Sequence, residues 1–338
     1  MSKKLRIGVF GCGRIGRLHI TNITNYVANA EVAAIADPFM NDDMKSFAAG
    51  LGITACYADP EQIISDPSID AVFICTSTPS HIDLIVRSAK AGKHIFCEKP
   101  VHTDLDQIRI ADAAVKEAGV KFQVGFVRRF DHNHKAVRDA VMSGKLGQPH
   151  MVKVCSRDPD HPPMDYVKVS GGIFVDMTIH DFDMVRYLSG SEAVEVFAMG
   201  AVADKRYAEY DDVDVAAVMI RFENGALGII DNDRASKYGY DQRTEVQGEF
   251  GCAQVSNDLN NTAMISTGDG VEVSKPTWFF LERYNNAFIE EEIAFVDAIL
   301  NDTDVPVKMI DGLMPVAMAI AAQKSRIENR VVKLSEVL

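Results

Sequence analysis

Leu5-Arg6-Ile7-Gly8-Val9-Phe10 reads as one short buried strand, and it runs straight into Gly11-Cys12-Gly13-Arg14-Ile15-Gly16. A helical stretch follows, then a second apolar run from Glu31 to Ala36 that ends on Asp37. Strand, G-x-G-x-x-G turn, helix, strand and acid within about 30 residues form the dinucleotide-binding fingerprint, and few local patterns restrict a fold as tightly. Gly11 permits a turn too tight for a Cβ, Gly13 lets the backbone approach a pyrophosphate, and Gly16 lets the helix pack close to the strand. The helix N-terminus at Arg14 and Ile15 offers free N–H groups and a partial positive charge to phosphates. Asp37 stands 21 residues after Gly16, close to the spacing of an acid that binds a ribose 2′-OH. A carboxylate there repels the 2′-phosphate of NADP, so the expected cofactor is NAD.

The alternation continues to about residue 125. Asn41 or Asp42 caps a helix ending at Gly50 to Gly52, and a short strand follows over 54–57. Asp59-Pro60-Glu61-Gln62 starts a helix with Asp59 as N-cap and Pro60 at its first position. Strands are expected over 71–75, 94–97 and 121–124, with a helix capped by Thr103 and stopping near Gly119. Alternating elements joined by short loops imply an α/β, doubly wound parallel sheet with its ligand at the C-terminal ends of the strands.

Beyond 126 the pattern changes. A helix over 134–143, a strand over 151–155 and a polar, Pro-rich loop over 156–170 precede Gly171-Gly172, which opens a helix running to Leu188. Strands over 194–203, 213–222 and 226–231 read as antiparallel, with Glu223-Asn224-Gly225 carrying the Asn-Gly that a type I′ hairpin turn prefers. Further strands fall around 244–247, 253–255 and 262–273, and helices over 283–300 and 311–325 close the chain. The expected organisation is a dinucleotide-binding domain over 1–125, a second α+β domain over 126–305, and a C-terminal helix and tail over 306–338 that packs back on the first domain.

Composition narrows the function classes. The 338 residues suit two domains, and 47% hydrophobic content can build real cores. A formal net charge of −13 argues against a general nucleic-acid surface. No apolar run approaches the roughly 18 residues of a membrane helix, and Met1-Ser2-Lys3-Lys4 leads into the first strand without a separate signal segment. Cys12, Cys56, Cys75, Cys97, Cys155 and Cys252 show no C-x-x-C and no metal spacing, and most sit in apolar runs as small core residues. They point to a reducing cytoplasm.

Two places carry chemistry. Glu98-Lys99-Pro100 lies just past a strand of the parallel sheet, at the edge where a nicotinamide belongs. A lysine there can donate to a substrate hydroxyl and stabilise an alkoxide; a solvated loop lysine is the plain alternative. In the helix opened by Gly172, Asp176 and His180 are i and i+4 and so share one face. A carboxylate beside an imidazole orients it and raises its basicity, which suits a general base. An Asp stabilised by the helix dipole, or a surface Asp–His pair, competes with that reading. His180, Asp181 and Asp183 could ligate a metal, but Asp181 falls on another face and no remote Cys or His has matching spacing, so no metal is expected.

Together these residues resemble the Gfo/Idh/MocA oxidoreductase family over essentially the whole chain. The matching pieces are Gly11-x-Gly13-x-x-Gly16, the stretch from Thr76 to His81, Glu98-Lys99-Pro100, Gly171-Gly172 followed by Asp176-x-x-x-His180, and the Asp311-Gly312-Leu313 helix. Within the family the chain is most similar to inositol 2-dehydrogenases, through Gly125-Phe126-Val127-Arg128-Arg129-Phe130-Asp131, Arg157-Asp158-Pro159 and Lys237-Tyr238-Gly239-Tyr240-Asp241. The resemblance implies a Rossmann domain followed by an open-faced antiparallel sheet, often with a homotetramer built on that sheet. It implies Lys99, Asp176 and His180 as catalytic groups, and Arg128, Asp158 and Tyr240 (or its neighbour Tyr238) as polyol contacts. It adds Thr76, Thr78, Pro79, His81, Glu98 and Lys99 to the cofactor contacts Gly11, Gly13, Arg14, Ile15, Gly16 and Asp37. Ser156-Arg157-Asp158-Pro159 stands where many inositol dehydrogenases carry His-Arg-Asn-Pro, and Val127-Arg128-Arg129-Phe130 where the usual run is Met-Arg-Arg-Tyr. The expected activity is oxidation of myo-inositol or scyllo-inositol with NAD. A pyranose substrate, or a non-catalytic dinucleotide-binding regulator, is the alternative.

Overall fold

The computed structural model describes residues 4–338; Met1, Ser2 and Lys3, on which the reading of the N-terminus partly rests, lie outside the described residues. The chain divides into two units, one formed by residues up to Val127 with Ala287–Val316, the other by Arg128–Asn286 with Ala317–Leu338.

The first unit holds a six-stranded parallel sheet. Its strands are β1 (Leu5–Phe10), β2 (Ala30–Ala36), β3 (Cys56–Tyr57), β4 (Ala71–Ile74), β5 (His94–Glu98) and β6 (Phe122–Gly125), in spatial order β3-β2-β1-β4-β5-β6. This is the doubly wound order 3-2-1-4-5-6. Every residue of β4 is buried, as a central strand covered on both faces requires. The helices are α1 (Arg14–Tyr26), α2 (Asp42–Gly50), α3 (Glu61–Ile64), α4 (His81–Lys90) and α5 (Leu105–Ala118). The Asn41 side chain caps α2 by accepting from the Met44 N–H at 2.9 Å. Asp104, not Thr103, caps α5, because its carboxylate accepts from the Asp106 N–H at 2.8 Å. Asp59 Oδ1 does accept from the Glu61 N–H at 2.9 Å, but the helix it starts is only four residues long.

The second unit opens with α6 (His132–Met142) and β7 (Pro149–Arg157), then α7 (Met164–Val167), α8 (Ile173–Asp176) and α9 (Ile179–Ser189). Strands β8 (Ala193–Ala201), β9 (Val215–Phe222), β10 (Leu227–Asp233), β11 (Asp241–Gly248) and β12 (Cys252–Val255) follow. A separate hairpin, β13 (Met264–Thr267) and β14 (Gly270–Val273), occupies the stretch read as one strand over 262–273; the chain reverses between Thr267 and Gly270. Helices α10 (Phe280–Arg283), α11 (Asn285–Leu300) and α12 (Met309–Glu328) and strand β15 (Val332–Lys333) complete the chain.

The large sheet runs β12-β11-β7-β10-β9-β8-β15. It is mixed rather than antiparallel, because β10 pairs with β7 in parallel. Residue alternation shows which face a strand buries but not its direction, and the long helical excursion between β7 and β8 frees that pair from hairpin geometry. Alternation itself holds: in β9, Ala216, Val218, Ile220 and Phe222 are buried while Ala217, Met219 and Arg221 are exposed. The β9–β10 turn is not type I′. Phe222 pairs across to Ala226, the Gly225 N–H bonds the Phe222 carbonyl at 3.0 Å, and only Gly225, at φ 86°, has left-handed backbone. That is a three-residue loop with the glycine in the αL position.

Helix α11, expected in the second domain, lies in the first unit from Ala287 on. Its Phe295 meets Phe73 and Phe96 edge-on at 5.5 and 5.9 Å, while those two rings stack at 4.4 Å. The tail also departs from expectation. Residues from Ala317 on belong to the second unit, where β15 pairs with β8.

Candidate active site

In the first unit the three glycines differ in what a side chain would meet. Gly11 has φ +90°, and a Cβ there would sit 2.7 Å from the Cys75 carbonyl oxygen. A Cβ on Gly16 would lie 1.9 Å from the Gly11 carbonyl oxygen, so the helix can approach the turn only without one. A Cβ on Gly13 would meet nothing within 4 Å, the open space a pyrophosphate needs above the first N–H groups of α1, at Arg14 and Ile15. Asp37, 8% exposed, accepts from the Cys12 N–H at 2.7 Å and from the Phe39 N–H at 2.8 Å. The acid is thereby fixed to the glycine turn, with lone pairs left for ribose hydroxyls. These residues fit a dinucleotide.

Three residues expected to touch the cofactor, Thr76, His81 and Glu98, make hydrogen bonds within the protein. His81 is 1% exposed and sits between the Thr76 and Pro100 carbonyls, 3.0 Å from each. It ties the loop after β4 to the loop after β5. Thr76 Oγ1 and Ser80 Oγ share a hydrogen bond of 2.6 Å in the short turn that carries Thr78 and Pro79. Glu98 Oε1 meets His19 Nε2 at 2.9 Å, and His19 Nδ1 meets Glu292 at 2.7 Å. Burial opposes charge on His19, but hydrogen bonds to Glu292 and Glu98 outweigh it and lift its pKa to about 10. Glu98 Oε2 also accepts from the Lys99 N–H at 3.2 Å. The half-buried Lys99 therefore follows a residue anchored through His19 to α11.

In the second unit Asp176 and His180 do not share one continuous helix. Asp176 ends α8 and His180 is the second residue of α9. Between them the Thr178 N–H bonds the Ile173 carbonyl five residues back at 2.9 Å, and the Thr178 hydroxyl donates to Asn232 at 2.7 Å. Such a π-type step re-aims the side chains that follow it. Asp176 Oδ1 accepts from the Tyr166 hydroxyl at 2.6 Å, and Oδ2 accepts from Arg234 Nη1 at 3.0 Å. His180 is half-buried.

Arg128, expected to bind polyol, is 4% exposed and spends its terminal nitrogens on the protein. Nη1 reaches Asp181 at 2.5 Å, and Nη2 reaches Ser156 at 3.2 Å and the Tyr240 hydroxyl at 3.3 Å. It braces Tyr240, which is 5% exposed and whose pKa burial pushes up to about 12. Tyr238 is 39% exposed and donates to Asp241 at 2.5 Å. The half-buried Asp158 is pushed up to about 6 by burial, with Arg234 and Arg128 pulling it back and Asp176 and Asp181 adding to the rise. Asp181 and Asp183 are committed to Arg128 and Arg129. Elsewhere His19, Glu98 and Glu291 cluster closely enough for a metal, but both His19 nitrogens already face carboxylates.

Sequence reading missed Arg234, Tyr166, His19 and Glu292. His19, three residues past the last fingerprint glycine, faces inward on α1 at 0% exposure, and a polar residue on an apolar face was the available signal. Arg234 and Tyr166 belong to no pattern.

Residues 5–126 match the model of an oxidoreductase family with an NAD-binding Rossmann fold, and residues 134–254 match the GFO/IDH/MocA C-terminal domain. Over 99% of its length the chain is 44% identical to the whole of a myo-inositol 2-dehydrogenase from Thermotoga maritima. Over 98% it is 41% identical to an inositol 2-dehydrogenase from Rhizobium meliloti, covering 99% of that protein. The crystal structure of a scyllo-inositol dehydrogenase from Lactobacillus casei with bound NAD(H) and scyllo-inositol shares 30% identity and a TM-score of 0.92, across 98% of this chain and 100% of that one.

Proposed function

The chain belongs to the Gfo/Idh/MocA oxidoreductase family, and from that premise we propose that it is an NAD-dependent inositol 2-dehydrogenase, oxidising myo-inositol or scyllo-inositol to 2-keto-myo-inositol. The observation that carries the reading is the near full-length identity of 44% and 41% to two proteins named as inositol 2-dehydrogenases. NAD, when bound, supplies the hydride acceptor. His180 takes the proton of the reacting hydroxyl as general base. Asp176, held by Tyr166 and Arg234, orients that base. Lys99 donates to the same oxygen and stabilises its developing negative charge. Asp158 and Tyr240 contact the ring hydroxyls, and Arg128 sets Tyr240 in place. An absorbance assay of NADH formation with a panel of myo-inositol, scyllo-inositol and pyranoses tests the reading. Turnover confined to pyranoses, or no turnover by a protein that binds NAD, would sink it.

Asp158 bears on isomer choice. A carboxylate only accepts, where the Asn that many relatives carry also donates, so a ring hydroxyl facing Asp158 must be a donor. Inositol isomers differ in which hydroxyls are axial, and a site with buried polar groups discriminates through those left unpaired. Asp158→Asn should change the ratio of kcat/KM for myo- over scyllo-inositol by about tenfold or more. With Asp158 titrating near 6, the unmodified ratio should itself drift through that pH, and the drift should vanish in the Asn variant. An unchanged ratio would mean that residue 158 does not touch the ring.

We further propose that the protein is cytoplasmic and tetrameric. All six cysteines are free, and no helix among the described residues is long and apolar enough to cross a membrane. Met199 and Met219 stand 60% and 53% exposed on the open face of the large sheet, which supports assembly through that face.

A further inference from the structure

Immediately after β10 the chain sends Arg234 into the second unit at 1% exposure. Its backbone N–H bonds the Asp214 carbonyl at 3.0 Å, and its guanidinium carbon lies 6.0 Å from the centre of the Tyr207 ring. Nη1 donates to Asp176 Oδ2, but Nε and Nη2 are buried and find no protein acceptor among the described residues. A guanidinium taken out of water with two of its three nitrogens unanswered carries an uncompensated desolvation cost, so this pair is a poor device for stability. What the charge does for its neighbours is a better account of it.

Those neighbours are two carboxylates that act on one another. Asp176 Oδ1 takes the Tyr166 hydroxyl and Oδ2 takes Arg234, so the carboxylate is gripped at both oxygens and has one orientation. Asp158 feels Arg234 and Arg128 as opposing positive charges, and Asp176 and Asp181 as like charges; the Tyr240 phenol faces it as well. Of the two arginines, Arg128 is already spent on Asp181, Ser156 and Tyr240. Arg234 alone among these groups is bonded to one of the two carboxylates while acting on the other.

We propose that Arg234 is a positioning residue of the polyol site: it locks Asp176 in one orientation and brings a fixed positive charge to Asp176 and its neighbour Asp158. This rests on the reading of Asp176 and Asp158 as site residues. Arg234 acts through Asp176 on the base, and through Asp158 on hydroxyl recognition.

The test compares the unmodified protein with Arg234→Gln and Arg234→Lys, measuring kcat and KM for myo-inositol from acid to alkaline pH at saturating NAD. Removing the cation raises the pH at which Asp158 ionises, so the acid limb of Arg234→Gln should move to higher pH, and with Asp176 released from its grip kcat should fall about tenfold or more. Arg234→Lys keeps the charge but loses the planar fork; its acid limb should stay in place while kcat recovers only in part. A merely structural arginine would lower the melting temperature of both variants and leave the acid limb where it was. A normal limb and kcat in Arg234→Gln would overturn the proposal. Should that variant fail to fold, full wild-type kcat in Arg234→Lys would overturn it instead. An unmodified protein that binds NAD but oxidises no inositol fails the functional reading itself and takes this inference with it, an outcome visible before any variant is made.

Discussion

Replacing His180 with Ala should lower kcat for inositol by about 10² to 10⁴, the usual cost of losing a general base. NAD affinity should stay where it is. The residues that fit the dinucleotide, from Gly11 to Asp37, lie in the first unit, whereas His180 lies on α9 of the second. Substrate turnover and NAD binding therefore separate cleanly, the second read by quenching of protein fluorescence or by calorimetry. An alanine at this half-buried position removes a ring without leaving a buried charge, so folding should survive. Residual turnover should rise with pH in the variant, because hydroxide must then replace the missing base. If turnover instead persists within a few-fold, the proton goes to another group, and Lys99 is the first to test by substitution.

What the sequence made legible were features that backbone geometry forces. The G-x-G-x-x-G turn could be read because Gly11 and Gly16 have no room for a Cβ. Asp37 was legible because a fixed fold sets its spacing, though not its hydrogen bond to the Cys12 N–H. Features that depend on partners far along the chain were not. Arg128 reads as a substrate contact by resemblance, but its hydrogen bonds to Asp181, 53 residues on, and Tyr240, 112 residues on, could not be read from the sequence. His81 and Glu98 are in the right loops, but distant carbonyls and His19 claim their polar atoms. The i, i+4 argument for Asp176 and His180 assumed an unbroken helix. Thr178 interrupts it with a hydroxyl that prefers Asn232 and the Ile173 carbonyl, a competition that Ser and Thr side chains often win.

The cofactor preference offers the second large effect. Asp37 cannot swing away from a bound ribose, because both of its oxygens hold backbone N–H groups and the side chain is nearly enclosed. A 2′-phosphate brought against it meets a fixed like charge; at about 4 Å and an effective dielectric of 20 the Coulomb term is about 4 kcal/mol per pair of unit charges. Even if solvent and movement of the ligand remove half of that, about 2 kcal/mol remains, or roughly 30-fold in affinity. NAD should accordingly bind at least that much more tightly than NADP. Asp37→Ala should narrow the gap, but it also strips the buried Cys12 N–H of its acceptor and so should weaken NAD by about 1 to 3 kcal/mol. Asp37→Asn separates the two effects. Its amide oxygen can still accept from one backbone N–H while the charge is gone, so NADP should gain most and NAD should lose least. Competition binding of both cofactors to the three proteins reads this directly, and equal affinity for NAD and NADP in the unmodified protein would show that Asp37 does not select the cofactor.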